Sequence, residues 1–274
     1  MASPPYTHAT IPTAQWSQLS TEIRLPLLRS DMYRAVGWSF LFPDDGVRRN
    51  VLEILDRLRL RAEDVPPLSE TLAALRRLND YDEVPLDQLR MEFDRIFGHT
   101  ISAECPPYET QYTPGIIFAQ TQKMGDIAGF YRAFGVRVSS EAHERPDHIA
   151  AEFEFMSMMT FREAIAMIDG NQEHLDQTRE AEAKFLGEHL APWTLSFAER
   201  LARKARAVES GFYEALALGL RHMIQSELHQ AQITPADIAL LEPAAPDAEP
   251  EGCCFSCGAA GEPVLVNLPG TDGR

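Results

Sequence analysis

The chain has no run of about 18 apolar residues, so no segment of it is expected to cross a bilayer as a helix. Basic residues are scarce. Lys and Arg number 25 against 41 Asp and Glu, a net charge of −16 over 274 residues. That balance argues against nucleic acid as a partner, because phosphate binders carry basic patches. It argues equally against stable binding or insertion at an anionic membrane. Either the acidity only keeps the chain soluble, or it steers a cationic partner toward it. Cysteine is rare too: Cys105, Cys253, Cys254 and Cys257 are all there is, and three of them crowd one tail. A protein of this size with so few cysteines has no disulfide framework, which fits a cytoplasmic location. Met1-Ala2-Ser3-Pro4-Pro5-Tyr6 lacks a basic stretch followed by an apolar one, so no secretory signal is expected. Also absent are a Gly-x-Gly-x-x-Gly turn, a phosphate-binding loop and a Gly-x-Ser-x-Gly elbow, which leaves nucleotide binding and serine hydrolysis unsupported. No alternating strand ladder, short hairpin signal or internal repeat is found.

What the chain does have is helical periodicity and, at 45% hydrophobic residues, enough apolar mass for a sizeable core. Residues 1–16, with Pro4, Pro5 and Pro12, read as a loose arm. Leu25, Leu28, Met32, Val36 and Phe40 predict a first helix, bent near Pro26. Val51, Ile54, Leu55 and Leu58 predict a second. Leu68 to Leu78 holds a third, and Leu86 to Phe97 a fourth, closed by Gly98. Residues 99–117 break the pattern with Pro106, Pro107, Tyr108, Tyr112 and Pro114. A long loop of prolines and aromatics inside a helical domain is often functional. Helices resume over about 120–135, 147–168, 171–188, 189–208 and 212–230. The fold class expected is all-α: one helical bundle over residues 17–230 with flexible termini. From Pro235 the chain carries six prolines and seven acids against one base, Arg274. Residues 231–274 therefore read as a flexible acidic tail, or one that folds only onto a partner.

Two clusters invite a chemical reading. In Arg145-Pro146-Asp147-His148-Ile149-Ala150-Ala151-Glu152-Phe153-Glu154, the residues Ile149, Phe153, Met156 and Thr160 form the core stripe of a helix. Asp147 and Glu154 point away from it. His148 and Glu152 lie one turn apart at its flank, within reach of a shared hydrogen bond. Asp147 either complements the helix dipole or, with Glu141, Glu144, Glu152 and Glu154, forms an acidic surface. His148 is either a satisfied boundary histidine or part of a site. His143 and His148 stand five apart with Pro146 between them, which excludes the zinc-protease spacing. In the tail, Cys254 and Cys257 have metal-ligand spacing and Cys253 adds a third thiol. Either they hold a labile zinc or iron, giving a metal- or redox-active accessory protein, or they are exposed thiols with no cofactor.

Four elements in a fixed order resemble the TorD/DmsD/NarJ family of cytoplasmic chaperones for molybdenum oxidoreductases, over approximately residues 28–225. They are Glu92-Phe93-Asp94-Arg95-Ile96-Phe97, Pro106-Pro107-Tyr108-Glu109, the segment from Pro146 to Met156, and Phe185-Leu186-x-x-His189-Leu190-x-Pro192-Trp193. Phe153 stands where the family usually has leucine. The resemblance implies a chaperone without catalysis. It would bind the catalytic subunit of a molybdenum oxidoreductase before cofactor insertion, at that subunit's twin-arginine leader, as a monomer or a domain-swapped dimer. The positions matching Pro107, Tyr108, Pro146, Asp147 and His148 border the peptide site proposed for the family. With them, Glu109, Tyr112, Glu144 and Glu152 complete the candidate surface: acids for the arginines, aromatics for the apolar stretch. The long cysteine-bearing tail is similar to the branch serving type II enzymes of the dimethyl sulfoxide reductase family.

Overall fold

The computed structural model describes residues 13–61, 65, 68–98, 104–112, 117–139, 144–234, 241 and 264–267, and within them the fold is all-α apart from one short ladder. The elements are α1 (Thr13–Trp16), α2 (Thr21–Trp38), α3 (Asp45–Arg61), α4 (Ser69–Leu75), α5 (Leu86–Phe97), α6 (Ile117–Ala133), β1 (Val136–Val138), α7 (Ile149–Ile168), α8 (Gln172–Phe185), α9 (Ala191–Ala207), α10 (Gly211–Gln230) and β2 (Leu265–Asn267). The end of the segment read as a loose arm is helical. Thr13–Trp16 make a single turn whose Trp16 is buried beneath the guanidiniums of Arg24 and Arg61. Helix α2 then runs unbroken through Pro26.

Helices α2 and α7 cross at the centre of the bundle, and small residues let them do so. A Cβ on Gly37 would lie 2.7 Å from the Cβ of Phe153, so only glycine fits there without displacing α7. Further along the seam, Ser30 Oγ donates to the Ser157 carbonyl at 2.6 Å and Ser157 Oγ returns a bond to the Ser30 carbonyl at 2.8 Å. Each hydroxyl satisfies a polar group that close packing would otherwise strand. Ile149, Phe153, Met156 and Thr160, the stripe expected to be core, are all fully buried.

The helix ends follow their local chemistry. Gly98, at φ 74°, closes α5 in the left-handed region. Asn171 and Ser210 cap α8 and α10 by accepting the amides of His174 and Tyr213. Between α8 and α9 the chain widens into a π turn, Leu186–Leu190, in which the Ala191 amide reaches back to the Leu186 carbonyl. Pro192 explains it. Proline has no N–H to offer the Glu188 carbonyl four residues earlier. Lys123 Nζ from α6 donates to that carbonyl instead, at 2.8 Å.

The expectation of no strand ladder is corrected. β1 pairs antiparallel with β2, Val136 opposite Asn267 and Val138 opposite Leu265. Three-residue strands are too short to show alternation, and the partner lies far away in the tail. Of the segment read as a flexible acidic tail, or one that folds only onto a partner, Leu241 donates its amide to the Pro192 carbonyl at 2.8 Å, and Val264 and Leu265 are buried on the helical body.

Candidate functional site

The proline-aromatic loop and the start of α7 are tied backbone to backbone. The Glu109 amide donates to the Asp147 carbonyl at 2.9 Å, and the Ile149 amide donates to the Pro107 carbonyl at 3.0 Å. Tyr108 and His148 form the bridge between these bonds, their rings edge to face at 5.0 Å. A helix start leaves amides without partners. Here the loop satisfies one, and His148 Nδ1 caps another by accepting the Ala150 amide at 3.1 Å. His148 is therefore the N-cap of α7, and Pro146 lies two residues before it. The Pro146 carbonyl accepts Tyr131 Oη at 2.7 Å.

Asp147 fastens the same junction through its side chain. Oδ2 accepts the Thr110 amide at 3.2 Å and the Thr110 hydroxyl at 2.6 Å. Arg145 grips both carboxylate oxygens, Nε to Oδ1 at 2.9 Å and Nη2 to Oδ2 at 2.8 Å, with its guanidinium 4.8 Å from the Tyr108 ring centre. Asp147 is fully buried.

A second layer lies beneath. Glu109, also fully buried, meets His189 Nδ1 at 3.2 Å and Lys123 Nζ at 2.9 Å. Glu152 accepts the indole N–H of Trp193 at 3.2 Å. Burial, then the nearby charges of Glu109 and Asp147, push the Glu152 carboxyl well above the usual range. Tyr112 packs on Trp193 with ring centres 5.3 Å apart. The expected pairing of His148 with Glu152 is replaced by these bonds: His148 turns to Ala150 and Glu152 to Trp193.

The structure thus gathers Pro107, Tyr108, Glu109, Tyr112, Asp147, His148 and Glu152 into one junction. All of them are buried, while Glu144, Arg145 and Pro146 remain partly exposed. Asp147 and Glu154 were expected to face outward and instead are buried, because the loop and β2 cover that side of α7. The acidic run largely answers cations of its own chain: Asp147 holds Arg145, and Glu154 lies 3.6 Å from Arg34. Sequence reasoning missed Thr110, Lys123 and Arg145 as partners. It quoted His189 and Trp193 only as motif letters, although those letters were the available signal. Glu141, Cys253, Cys254 and Cys257 lie outside the described residues. Cys105 is buried and its thiol is pushed well above the ordinary value, chiefly by desolvation, which leaves it unreactive. Among the described residues no group of three His, Cys, Asp or Glu side chains is placed to hold a metal ion, and no helix is long and apolar enough to cross a membrane.

The cap has a pH limit. Burial pushes His148 down to about 4, and the neighbouring charges of Asp147 and Arg145 largely oppose one another. Its unfolded value is about 6.5, so the unfolded chain binds the proton more readily. The stability contributed by neutral His148 is present above about pH 6.5 and is lost as pH falls through 4. His148→Asn keeps a capping side chain and removes the titration. Between pH 6.5 and 4 the variant should lose less stability than the parent, by up to about 3 kcal/mol. Urea midpoints of both chains across this range check it, and parallel acid arms would refute the assignment.

Residues 61–199 match the family model described as nitrate reductase delta subunit. A selenate reductase assembly chaperone protein of Thauera selenatis is 32% identical over 94 residues, which cover 34% of this chain and 47% of the relative. The chaperone protein TorD of Vibrio cholerae serotype O1 is 29% identical over 162 residues, 57% of this chain and 67% of the relative. A chlorate reductase assembly chaperone protein of Ideonella dechloratans is 34% identical over 76 residues, 28% of this chain and 38% of the relative. The chain thus spans about half the length of the selenate reductase relative and two thirds of that of TorD.

Proposed function

The chain belongs to the nitrate reductase delta subunit family, and on that premise we propose that it is a cytoplasmic assembly chaperone for the catalytic subunit of a molybdenum oxidoreductase. It binds the unassembled subunit and its twin-arginine leader, assists cofactor insertion, and delays export until assembly is complete. It makes and breaks no bond and needs no cofactor of its own. Its mechanism is occupancy: a client held here is withheld from the export machinery.

The observation that carries this reading is the junction itself. Three of the four elements that resemble the chaperone family bond to one another across the fold: Glu109 to His189 and, through its amide, to Asp147, and Glu152 to Trp193. An interlocked loop presents its outer face in one conformation, and preorganisation lowers the cost of binding. In this reading Glu144, Arg145, Pro146 and the rim of Tyr108 touch the client. Asp147, His148, Glu109, Tyr112 and Glu152 position them from below. Glu144 supplies the acid for a leader arginine, and the net charge of −16 steers the basic peptide inward.

Calorimetric titration of a client leader peptide tests it. Glu144→Lys and Tyr108→Ala should each weaken binding about tenfold, equivalent to about 1.4 kcal/mol, while helical circular dichroism is retained. The Glu144→Lys loss should shrink with added salt. Unchanged affinity in both variants would show that the client binds elsewhere.

A further inference from the structure

Glu154 is a buried carboxylate with an unusual pair of partners. Its Oε2 accepts the backbone amides of both Val264 and Leu265, at 2.6 and 2.9 Å. Two adjacent main-chain N–H groups converging on one anion are a way of holding a peptide without reading its side chains. Beyond that grip the segment continues as β2 along β1, and the Ser139 amide donates to the Val264 carbonyl at 2.7 Å. β1 has no other strand beside it among the described residues. Without β2 it is an open strand edge above a buried acid, which is what strand addition by an extended peptide requires.

We propose that β1 and Glu154 form a slot for an extended apolar peptide, and that the chain's own residues 264–267 are a displaceable occupant which the apolar stretch of a client leader replaces. Three observations favour displacement over a permanent seam. The occupant is an apolar island, Pro263-Val264-Leu265-Val266-Asn267-Leu268-Pro269, inside an otherwise acidic, proline-rich tail, so it has the character of a leader's apolar stretch. Glu154 also faces Arg34, at 3.6 Å, on α2. Emptying the slot therefore does not leave a lone buried charge, the situation that makes most buried acids intolerant of losing a partner. Last, Glu154 lies six residues beyond the N-cap His148 along α7, a rise of roughly 9 Å. That distance is about three residues of extended chain. A leader whose basic motif lies at Glu144 can reach the slot with the apolar residues that follow. The identity of the client peptide rests on the function proposed above; the slot does not.

The probe is a dye-labelled synthetic peptide of residues 261–269, which carries no basic residue and so reports on the slot alone. Leu265→Pro in the full chain removes one amide from Glu154 and the packing of a buried leucine, which weakens the occupant but leaves it tethered; a chain ending at Gly261, which lacks the occupant, is the second variant. By fluorescence anisotropy both should bind the probe at least tenfold more tightly than the parent, because the tethered competitor is weakened in one and absent in the other. Glu154→Ala in the shortened chain should abolish that gain. An unlabelled leader segment with its apolar stretch but without its arginines should displace the probe. Absence of probe binding in helical, folded variants overturns the slot, and so does loss of the helical fold in both variants, since β2 is then an integral part of the bundle. A probe that binds but resists the leader segment overturns the displacement by client. None of these failures touches the Glu144 and Tyr108 titrations, and failure of those leaves probe binding unaffected.

Discussion

Arg29→Ala should lower the stability of the chain by about 3–5 kcal/mol, the range found when one partner of a buried ion pair is removed. Arg29 sits in the core with its side chain 11% exposed and reaches three glutamates from three other helices. Nη1 contacts Glu163 of α7 at 2.9 Å, Nη2 contacts Glu182 of α8 at 2.9 Å, and Nε and Nη2 contact Glu227 of α10 at 2.9 and 2.6 Å. Tyr33 adds its hydroxyl to Glu227 at 2.8 Å. With Arg179 on Glu163, two cations face three acids. Desolvation and the neighbouring Glu163 and Glu227 push Glu182 up to about 8, against the pull of Arg29. Alanine removes the only cation common to all three acids. Arg179, which is half-exposed, still holds Glu163 at 2.7 Å but contacts neither of the others. At about 2–4 °C per kcal/mol for a domain of this size, the melting temperature should fall by roughly 10 °C. Arg29→Lys should recover only part of it, because an ammonium cannot address three directions at once. A melt of Arg29→Ala within two degrees of the parent would show that the acids find other partners.

Trp193→Ala should cost a similar amount, about 3–5 kcal/mol, through a different mechanism. The ring is fully buried against Tyr112 and Phe197, and its N–H serves Glu152. Alanine leaves a cavity and deprives a buried acid of its donor together. Trp193→Phe separates the two effects. It keeps most of the packing, so its cost should be the lost bond alone, about 1–3 kcal/mol. The alanine variant should also loosen the loop above. Hydrogen exchange of the Glu109 and Thr110 amides, which bond to Asp147, should accelerate beyond what the global destabilisation accounts for. Equal exchange in the alanine and phenylalanine variants, once corrected for stability, would separate the tryptophan from the loop.

Periodicity made α3, α5 and α7 legible, and Gly98 marked its helix end correctly. The core stripe of α7 was readable because 3.6-residue spacing reports on the face a helix buries. It does not report on a second face buried by something remote. Asp147 and Glu154 looked exposed because their covers, the loop at 104–112 and β2 at 265–267, come from 37 and 110 residues away. The Arg29 cluster was invisible for the same reason, since its acids lie 134, 153 and 198 residues along the chain. The candidate site fared in between. Motif order singled out the loop and the start of α7, which the structure brings together, but letters in a motif do not say which side chains are buried in the junction. Asp147 is buried there and Glu144 is partly exposed.

The missing hydrogen of Pro192 also sets a phase. The π turn before it inserts one residue into what would otherwise be a continuous α8–α9 helix, and one residue is about 100° of rotation. Everything downstream is turned by that amount about the helix axis. Trp193 faces Tyr112 and Glu152 because of it, and a register without the insertion would present a neighbouring face of α9 to the loop. The proline thus acts as an angular setting for the C-terminal helices, and Lys123 on α6, by occupying the carbonyl that proline leaves open, locks the dial.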